Sequence, residues 1–251
     1  MRTFAFSDLH GQRNLWEQIK AFLQLDDVVY FLGDASDRGP DGYEIMKELL
    51  YDPRIIYIKG NHELMMQEAL EEIRQNDGAL YGEKFYIWSM NGCQPTLDAW
   101  ANNGSFYEWI DVLRELPVEA TYTNVEGREV VLCHAGFTPG AKPAWVDEMV
   151  WDRRHFRNAI PKEYQDGHMV IVHGHTPTPY LTMDLDEFNA QDAWNGREPR
   201  GEYQEKNGVV VYANGVKVDI DCGCFYTGQI ALLNLDTWET TLFEAEPENG
   251  V

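Results

Sequence analysis

Basic residues are scarce in this 251-residue chain: 20 Lys and Arg stand against 42 Asp and Glu, for a formal net charge of −22. Phosphate backbones and anionic membranes are held by clustered cations, so the shortage argues against a nucleic-acid or membrane-surface binder. It leaves phosphorylated substrates open, because bound divalent cations can dominate the field of a single pocket. Long apolar runs are missing too, since no stretch approaches the roughly 20 residues that a membrane span requires. Met1 to Asp8 reads as a strand from the start and has no apolar signal-peptide core, so a soluble, cytoplasmic protein is expected. The few cysteines, Cys93, Cys133, Cys222 and Cys224, form no C-x-x-C pair, which removes a zinc ribbon or a thioredoxin-like site. Cys222-Gly223-Cys224 reads as two small, partly buried thiols in a reducing compartment, in preference to a metal or redox site. Internal repeats and Pro/Gly/Ser linkers are also lacking, so residues 1–251 are expected to form one domain with local insertions.

What the chain does have is five short motifs rich in metal-binding side chains. They are Asp8-Leu9-His10, Gly33-Asp34-Ala35-Ser36-Asp37-Arg38-Gly39, Gly60-Asn61-His62-Glu63, His134-Ala135-Gly136 and Gly174-His175-Thr176-Pro177. The first three each follow a short apolar run. Thr3 to Phe6, Val28 to Leu32 and Ile55 to Ile58 read as buried strands, and Asn14 to Leu25 and Gly42 to Tyr51 as helices between them. The resulting β-α-β-α-β order predicts neighbouring parallel strands with right-handed crossovers. Such sheets bind ligands beyond the carboxyl ends of their strands, which is where Asp8 and His10, Asp34, and Asn61 and His62 fall. His62 to Gln75 is expected to continue as a helix, and Pro95 to Leu116 to hold one or two more. Short β-rich runs at 118–124, 129–133, 169–172, 209–212, 216–220 and 229–235 predict a second sheet packed on the first. The polar stretch 180–207 reads as a loop insertion, either a lid over the site or an uninvolved surface loop.

Each motif alone has an ordinary explanation. Asp-Leu-His is common in capped turns, Asn61 would serve as a helix cap, and His134 would serve as a hydrogen-bonded core histidine. All five in this order point instead to a two-metal hydrolytic centre. Phosphoester hydrolysis needs a strong nucleophile and neutralised phosphoryl charge, and two divalent ions about 3.5–4 Å apart supply both. A carboxylate suits the bridging position, with imidazole and amide oxygen filling the rest, a mixture that favours Mn, Fe or Zn over Ca.

The motifs from Asp8 to Pro177 resemble those of the calcineurin-like metallophosphoesterases, and within them the phosphoprotein phosphatases of the bacterial and bacteriophage lambda type. Val218-Asp219-Ile220-Asp221-Cys222-Gly223 resembles the family's late strand motif. The resemblance implies two packed mixed β-sheets flanked by helices and two divalent ions, with Mn expected and Fe, Zn, Ni or Co as alternatives. It implies Asp8 and His10 on the first ion, Asp34 bridging, and Asn61, His134 and His175 on the second. It implies His62 as the general acid with Asp37 orienting it, and Arg38 and Arg153 as the arginines that grip phosphate oxygens. Arg154 and Arg157 are adjacent alternatives to Arg153, and His173 is expected to stay off the metals. Pro177 occupies the position where many relatives outside the protein-phosphatase branch carry a second histidine, which favours that branch.

The activity implied is a Ser/Thr phosphoprotein phosphatase using a bridging hydroxide, acting on a phosphorylated protein or small phosphoester. The alternative is a symmetrical dinucleoside tetraphosphate (Ap4A) hydrolase. A catalytically silent metal-binding interaction module is the reading from another class, and the presence of every implied ligand argues against it. No Cys-x5-Arg segment supports a thiol nucleophile.

Overall fold

A computed structural model describes residues 1–103, 107–140, 146–196 and 202–245. The first sheet opens with β1 (Thr3–Phe6), α1 (Arg13–Phe22), β2 (Val28–Phe31), α2 (Gly42–Tyr51) and β3 (Ile55–Tyr57). Helices α3 (Asn61–Gln75), α4 (Glu83–Met90), α5 (Gln94–Asn103) and α6 (Glu108–Glu115) follow. The second half contains β4 (Glu119–Thr123), β5 (Glu129–Cys133), α7 (Val146–Trp151), β6 (Met169–His173), α8 (Thr178–Trp194), β7 (Gln204–Lys206), β8 (Val209–Tyr212) and β9 (Lys217–Asp219). It ends with α9 (Cys224–Thr227), β10 (Gln229–Asn234) and β11 (Thr240–Glu244).

The strands make two mixed sheets, ordered β11-β10-β1-β2-β3 and β4-β5-β6-β9-β8-β7. β1, β2 and β3 are parallel, as the β-α-β-α-β reading requires, and β5, β6 and β9 form a second parallel trio. Strands covered on both faces need apolar residues at successive positions, and these have them. Phe4, Phe6, Val29 and Phe31 pack toward the helices, while Ala5, Tyr30 and Leu32 face the other sheet. There they meet Val130, Leu132, Val170, Val172 and Val218 of the second sheet. The two sheets are therefore joined by one continuous apolar layer, which holds the carboxyl ends of both parallel trios in fixed relation.

The expectation of a polar loop over 180–207 is corrected. Most of it is helix α8, with β7 after it, and residues 197–201 lie outside the described residues. Leu181, Leu185 and Phe188 recur at helical spacing and pack on Phe156, Val210 and Tyr212. The surrounding Asp, Glu and Asn residues hid that narrow apolar stripe. Helix α4 and strands β7 and β11 were not foreseen either, and Pro95 to Leu116 resolves into α5 and α6.

Candidate metal centre

Six parallel strand ends deliver the site. Asp8 and His10 follow β1, Asp34, Asp37 and Arg38 follow β2, and Asn61 and His62 open α3 just after β3. From the other sheet come His134 after β5, His175 after β6 and Asp221 after β9. These turns are tight. Asp8, His10, Asp34, Asp37, Arg38 and His175 all have positive φ, six of the eleven such non-glycine residues described. Left-handed backbone costs on the order of 1–3 kcal/mol at each non-glycine residue, and strain concentrated in this way marks a functional site. Glycine is required where two of the turns cross. A Cβ on Gly33 would lie 2.4 Å from the Gly60 nitrogen, and one on Gly60 would lie 2.2 Å from Asp34 Oδ1.

Buried Glu63 ties the crossing turns together. Its Oε2 accepts the backbone N–H groups of Asp34 (2.8 Å) and Gly60 (2.8 Å). Its Oε1 accepts the Ala35 N–H (3.0 Å) and the Tyr57 hydroxyl (2.7 Å). Every lone-pair direction of this carboxylate is engaged in structure, whereas Asp34, Asp8 and Asp221 line the cavity.

Around Asp34 the metal-binding atoms converge. Its Oδ2 lies 3.7 Å from His10 Nε2, 3.8 Å from His62 Nε2 and 3.5 Å from His134 Nε2. Two buried trios, His10-Asp34-His62 and Asp34-His134-His175, each place one ligand atom per residue within 4.8 Å of the others, with Asp34 common to both. Asp8 adjoins the first trio, with Oδ1 4.0 Å from His10 Nε2, and its Oδ2 accepts the Ser7 hydroxyl and the His175 N–H (3.1 Å).

Divalent ions fit this arrangement. His134 Nδ1 lies 2.6 Å from the Leu32 carbonyl, so in the neutral ring the Nδ1 proton is donated there and Nε2 carries a lone pair. That lone pair faces Asn61 Oδ1 at 2.9 Å and Asp34 Oδ2 at 3.5 Å, three acceptors that a cation can satisfy together. His175 Nε2 is buried with no hydrogen-bond partner among the described residues. Burial, then the neighbouring carboxylates Asp8 and Glu63, push Asp34 well above the ordinary carboxylate range. Burial and Asp8 do the same to Asp221. Buried like charges of this kind are relieved by protonation or by a bound cation.

His62 of the first trio is also held from its other ring nitrogen. His62 Nδ1 lies 2.7 Å from Asp37 Oδ2, and Asp37 also accepts from Trp88 Nε1 (2.8 Å) and Thr96 Oγ1 (2.7 Å). Burial raises Asp37 to about 7 against the pull of those donors and Arg38, and burial then Arg38 lower His62. The Arg38 guanidinium donates Nη1 to His10 Nε2 (2.8 Å) and Nη2 to His62 Nε2 (3.1 Å). Arg153 Nη2 donates to the His175 carbonyl (3.1 Å) and its side chain lines the same cavity. Arg154 pairs instead with Asp152, and Arg157 lies over the Phe188 ring. Of the three neighbouring arginines, Arg153 is thus the one brought to the centre. His173 uses both ring nitrogens elsewhere, on Tyr212 Oη (2.7 Å) and the Gly174 carbonyl (3.0 Å), as expected for a residue off the metals.

The cavity has a volume of about 250 Å³. Asp221 lines it, with Oδ1 accepting the Gly223 N–H at 2.8 Å. No role was assigned to Asp221 from sequence, although its place just beyond a buried strand repeats the pattern of Asp8 and Asp34. Trp88 and Thr96, the residues that hold Asp37, had no local signal at all. The cysteines are free and buried, and Cys224 Sγ donates to the carbonyls of Asp8 (2.8 Å) and Leu9 (3.2 Å), a packing role beneath the first turn.

Comparison with known proteins agrees with this geometry. A family model described as calcineurin-like phosphoesterase matches residues 1–215. The serine/threonine-protein phosphatase 2 of Escherichia coli (strain K12) is 28% identical over 184 residues, covering 67% of this chain and 76% of that protein. A symmetrical bis(5'-nucleosyl)-tetraphosphatase of Buchnera aphidicola is 24% identical over 146 residues, covering 55% of this chain and 46% of that protein. In fold, a serine/threonine phosphatase from Saccharomyces cerevisiae aligns with 99% of this chain and 82% of its own at a TM-score of 0.57 and 14% identity. With the sheet pair, the strand-end ligands and the family match in agreement, the chain belongs to the calcineurin-like phosphoesterases, a family of metal-dependent phosphoester hydrolases.

Proposed function

We propose that this protein is a Ser/Thr phosphoprotein phosphatase, and that residues 1–251 form one metallophosphoesterase domain. Asp8, His10 and Asp34 would hold a first divalent ion, and Asp34, Asn61, His134 and His175 a second, with Mn expected from the mixed oxygen and imidazole donors and Fe, Zn, Ni or Co as alternatives. When bound, two such ions supply Lewis acidity toward the phosphoryl oxygens and a water acidified for attack. Arg38 and Arg153, both lining the cavity, orient the phosphoryl group through their planar donor forks.

The observation that carries the reading is the Asp37–His62 pair. An alkoxide leaves poorly unless it is protonated, whereas a nucleoside diphosphate leaves readily as an anion. His62 is anchored at Nδ1 by Asp37 and presents Nε2 to the cavity beside Arg38. Once Arg38 turns to the phosphoryl oxygens and Nε2 takes up a proton, the imidazolium can pass that proton to a departing serine or threonine oxygen. Asp37, itself locked by Trp88 and Thr96, holds the ring in the orientation that transfer requires and would stabilise the imidazolium that donates. Replacing His62 with Asn is expected to reduce kcat on a phosphoserine peptide by about 10²–10⁴-fold, the usual contribution of general acid catalysis. The loss on p-nitrophenyl phosphate should be far smaller, because that leaving group needs little protonation. Equal losses on the two substrates would remove His62 as the acid.

The second reading, dinucleoside tetraphosphate hydrolysis, is favoured by the Buchnera relative. Turnover of a phosphoserine/phosphothreonine peptide and of Ap4A, measured side by side with Mn²⁺, separates the two. Peptide dephosphorylation well above Ap4A cleavage is expected. The reverse order would assign the protein to nucleotide hydrolysis, and no turnover of any phosphoester with both ions bound would make it a silent metal-binding module.

A further inference from the structure

The cavity over the metal centre continues past Arg38. A second depression of about 440 Å³ opens beside it and shares Arg38, Asn91, Phe225 and Tyr226 with it. Met90 and Pro95 complete its walls. We propose that this groove is a specificity subsite for a bulky apolar side chain adjacent to the phosphorylated residue of an extended peptide. The assignment rests on the phosphoprotein reading above and names which phosphopeptides that site prefers.

Continuity is the first reason. A phosphoryl group held by Arg38 tethers everything attached to it, and the next residue of an extended chain lies only about 3.3–3.6 Å further along. The neighbours of the phosphoresidue therefore come within reach of the depression that shares Arg38 with the cavity. The second reason is exposure. Met90 is 69% and Tyr226 67% exposed, although Tyr226 lines the cavity and Met90 the groove beside it. Tyr86 (63%) and Ile87 (36%) lie one helical turn before Met90 on α4 and carry the same apolar surface outward. A strip this long suits several residues of a peptide better than one planar ring, and exposed apolar patches beside a site mark recognition surfaces.

The polar groups of the groove give the third reason. A nucleobase needs donors and acceptors at its edge to be held specifically. Asn91 Nδ2 already donates to the Ile87 carbonyl (2.8 Å), and the Gly92 carbonyl already accepts the Arg38 N–H (2.8 Å). Two aromatic rings, a thioether and a proline form the apolar part of the lining, beside the Tyr226 hydroxyl, Asn91 Oδ1 and the Arg38 guanidinium.

Two phosphoserine peptides, identical except for Phe or Ser beside the phosphoserine, test the assignment, with the Phe placed on each side in turn. Kinetics are read as the ratio of kcat/KM for the two peptides in one Mn²⁺-loaded preparation, so partial loss of folded or loaded enzyme cancels. The Phe peptide is expected to be favoured by about tenfold on one side, the scale of a partly buried aromatic side chain. Met90→Ser and Tyr226→Ser should each bring the ratio toward one. A wild-type ratio near one on both sides, or a tenfold ratio that survives both substitutions, would overturn the groove assignment alone. No turnover of either peptide while p-nitrophenyl phosphate is hydrolysed would overturn the phosphoprotein reading and this subsite with it. If the two substitutions instead weaken Ap4A cleavage and leave the peptide ratio at one, the groove holds a nucleobase.

Discussion

Asp34→Asn should lower turnover of every phosphoester by at least about 10³-fold, because in the proposed centre both ions would be held through this carboxylate, an interaction worth several kcal/mol. The substitution is nearly isosteric. The amide oxygen can still accept the His62 N–H that Asp34 Oδ1 accepts at 3.0 Å. What is lost is the negative charge facing His10, His62 and His134 at 3.5 to 3.8 Å. Calorimetry with Mn²⁺ should show weakened binding at both positions of the variant.

The metal-free proteins separate ligand loss from misfolding. Burial and the adjacent carboxylates raise the folded-state pKa of Asp34 above its unfolded value. The unfolded chain therefore loses this proton at lower pH than the folded one, and the group destabilises the metal-free fold as pH rises through that window. At neutral pH the metal-free Asn variant is expected to melt at or above the wild type, whereas added Mn²⁺ should raise the melting temperature of the wild type much more than that of the variant. A variant that retains activity within tenfold would show that Asp34 is not the shared ligand.

The other large effect is expected at Glu63, a residue outside the chemistry. Glu63→Ala leaves four buried donors, the N–H groups of Asp34, Ala35 and Gly60 and the Tyr57 hydroxyl, without an acceptor. Each costs about 1–3 kcal/mol, so a loss of at least about 4 kcal/mol in urea unfolding is expected, together with activity. Glu63→Gln offers a milder comparison. Its amide oxygen can serve one pair of donors while its NH₂ group confronts the other pair, so roughly half the loss should remain. Stability of the Ala variant within about 1 kcal/mol of wild type would be incompatible with a carboxylate that ties the turns together. Glu63 contributes to function by fixing where Asp34 and α3 begin, and its effect on turnover should follow its effect on the metal-loaded fold.

The parts of this protein legible in its sequence are those governed by local rules. β1, β2 and β3 follow from short apolar runs, α1 to α3 from helical periodicity, and the β-α-β-α-β order from their alternation. The turn residues of the site were legible for the same reason, since each motif abuts a strand whose end is marked by composition. Helix α8 was misread because its apolar stripe is only Leu181, Leu185 and Phe188 within a polar segment, and its burial depends on Phe156 and Tyr212 from elsewhere. Helix α4 was missed because Tyr86, Ile87 and Met90 stay exposed while Trp88 turns inward, so no face stands out as apolar.

The sequence by itself determined the family: the residue types of the five motifs, their order and their attachment to strand ends, all set by residue identity and local periodicity. Tertiary structure alone decided the partnerships. It set Asp34 between two histidine groups from opposite sheets, chose Arg153 over Arg154 and Arg157, brought Trp88 and Thr96 to Asp37, and added Asp221 to the cavity. The physical reason is that these contacts join residues far apart in the chain, 167 positions between His175 and Asp8. Periodicity cannot encode such a pairing. It exists only once the apolar layer between the two sheets has brought their strand ends to one place.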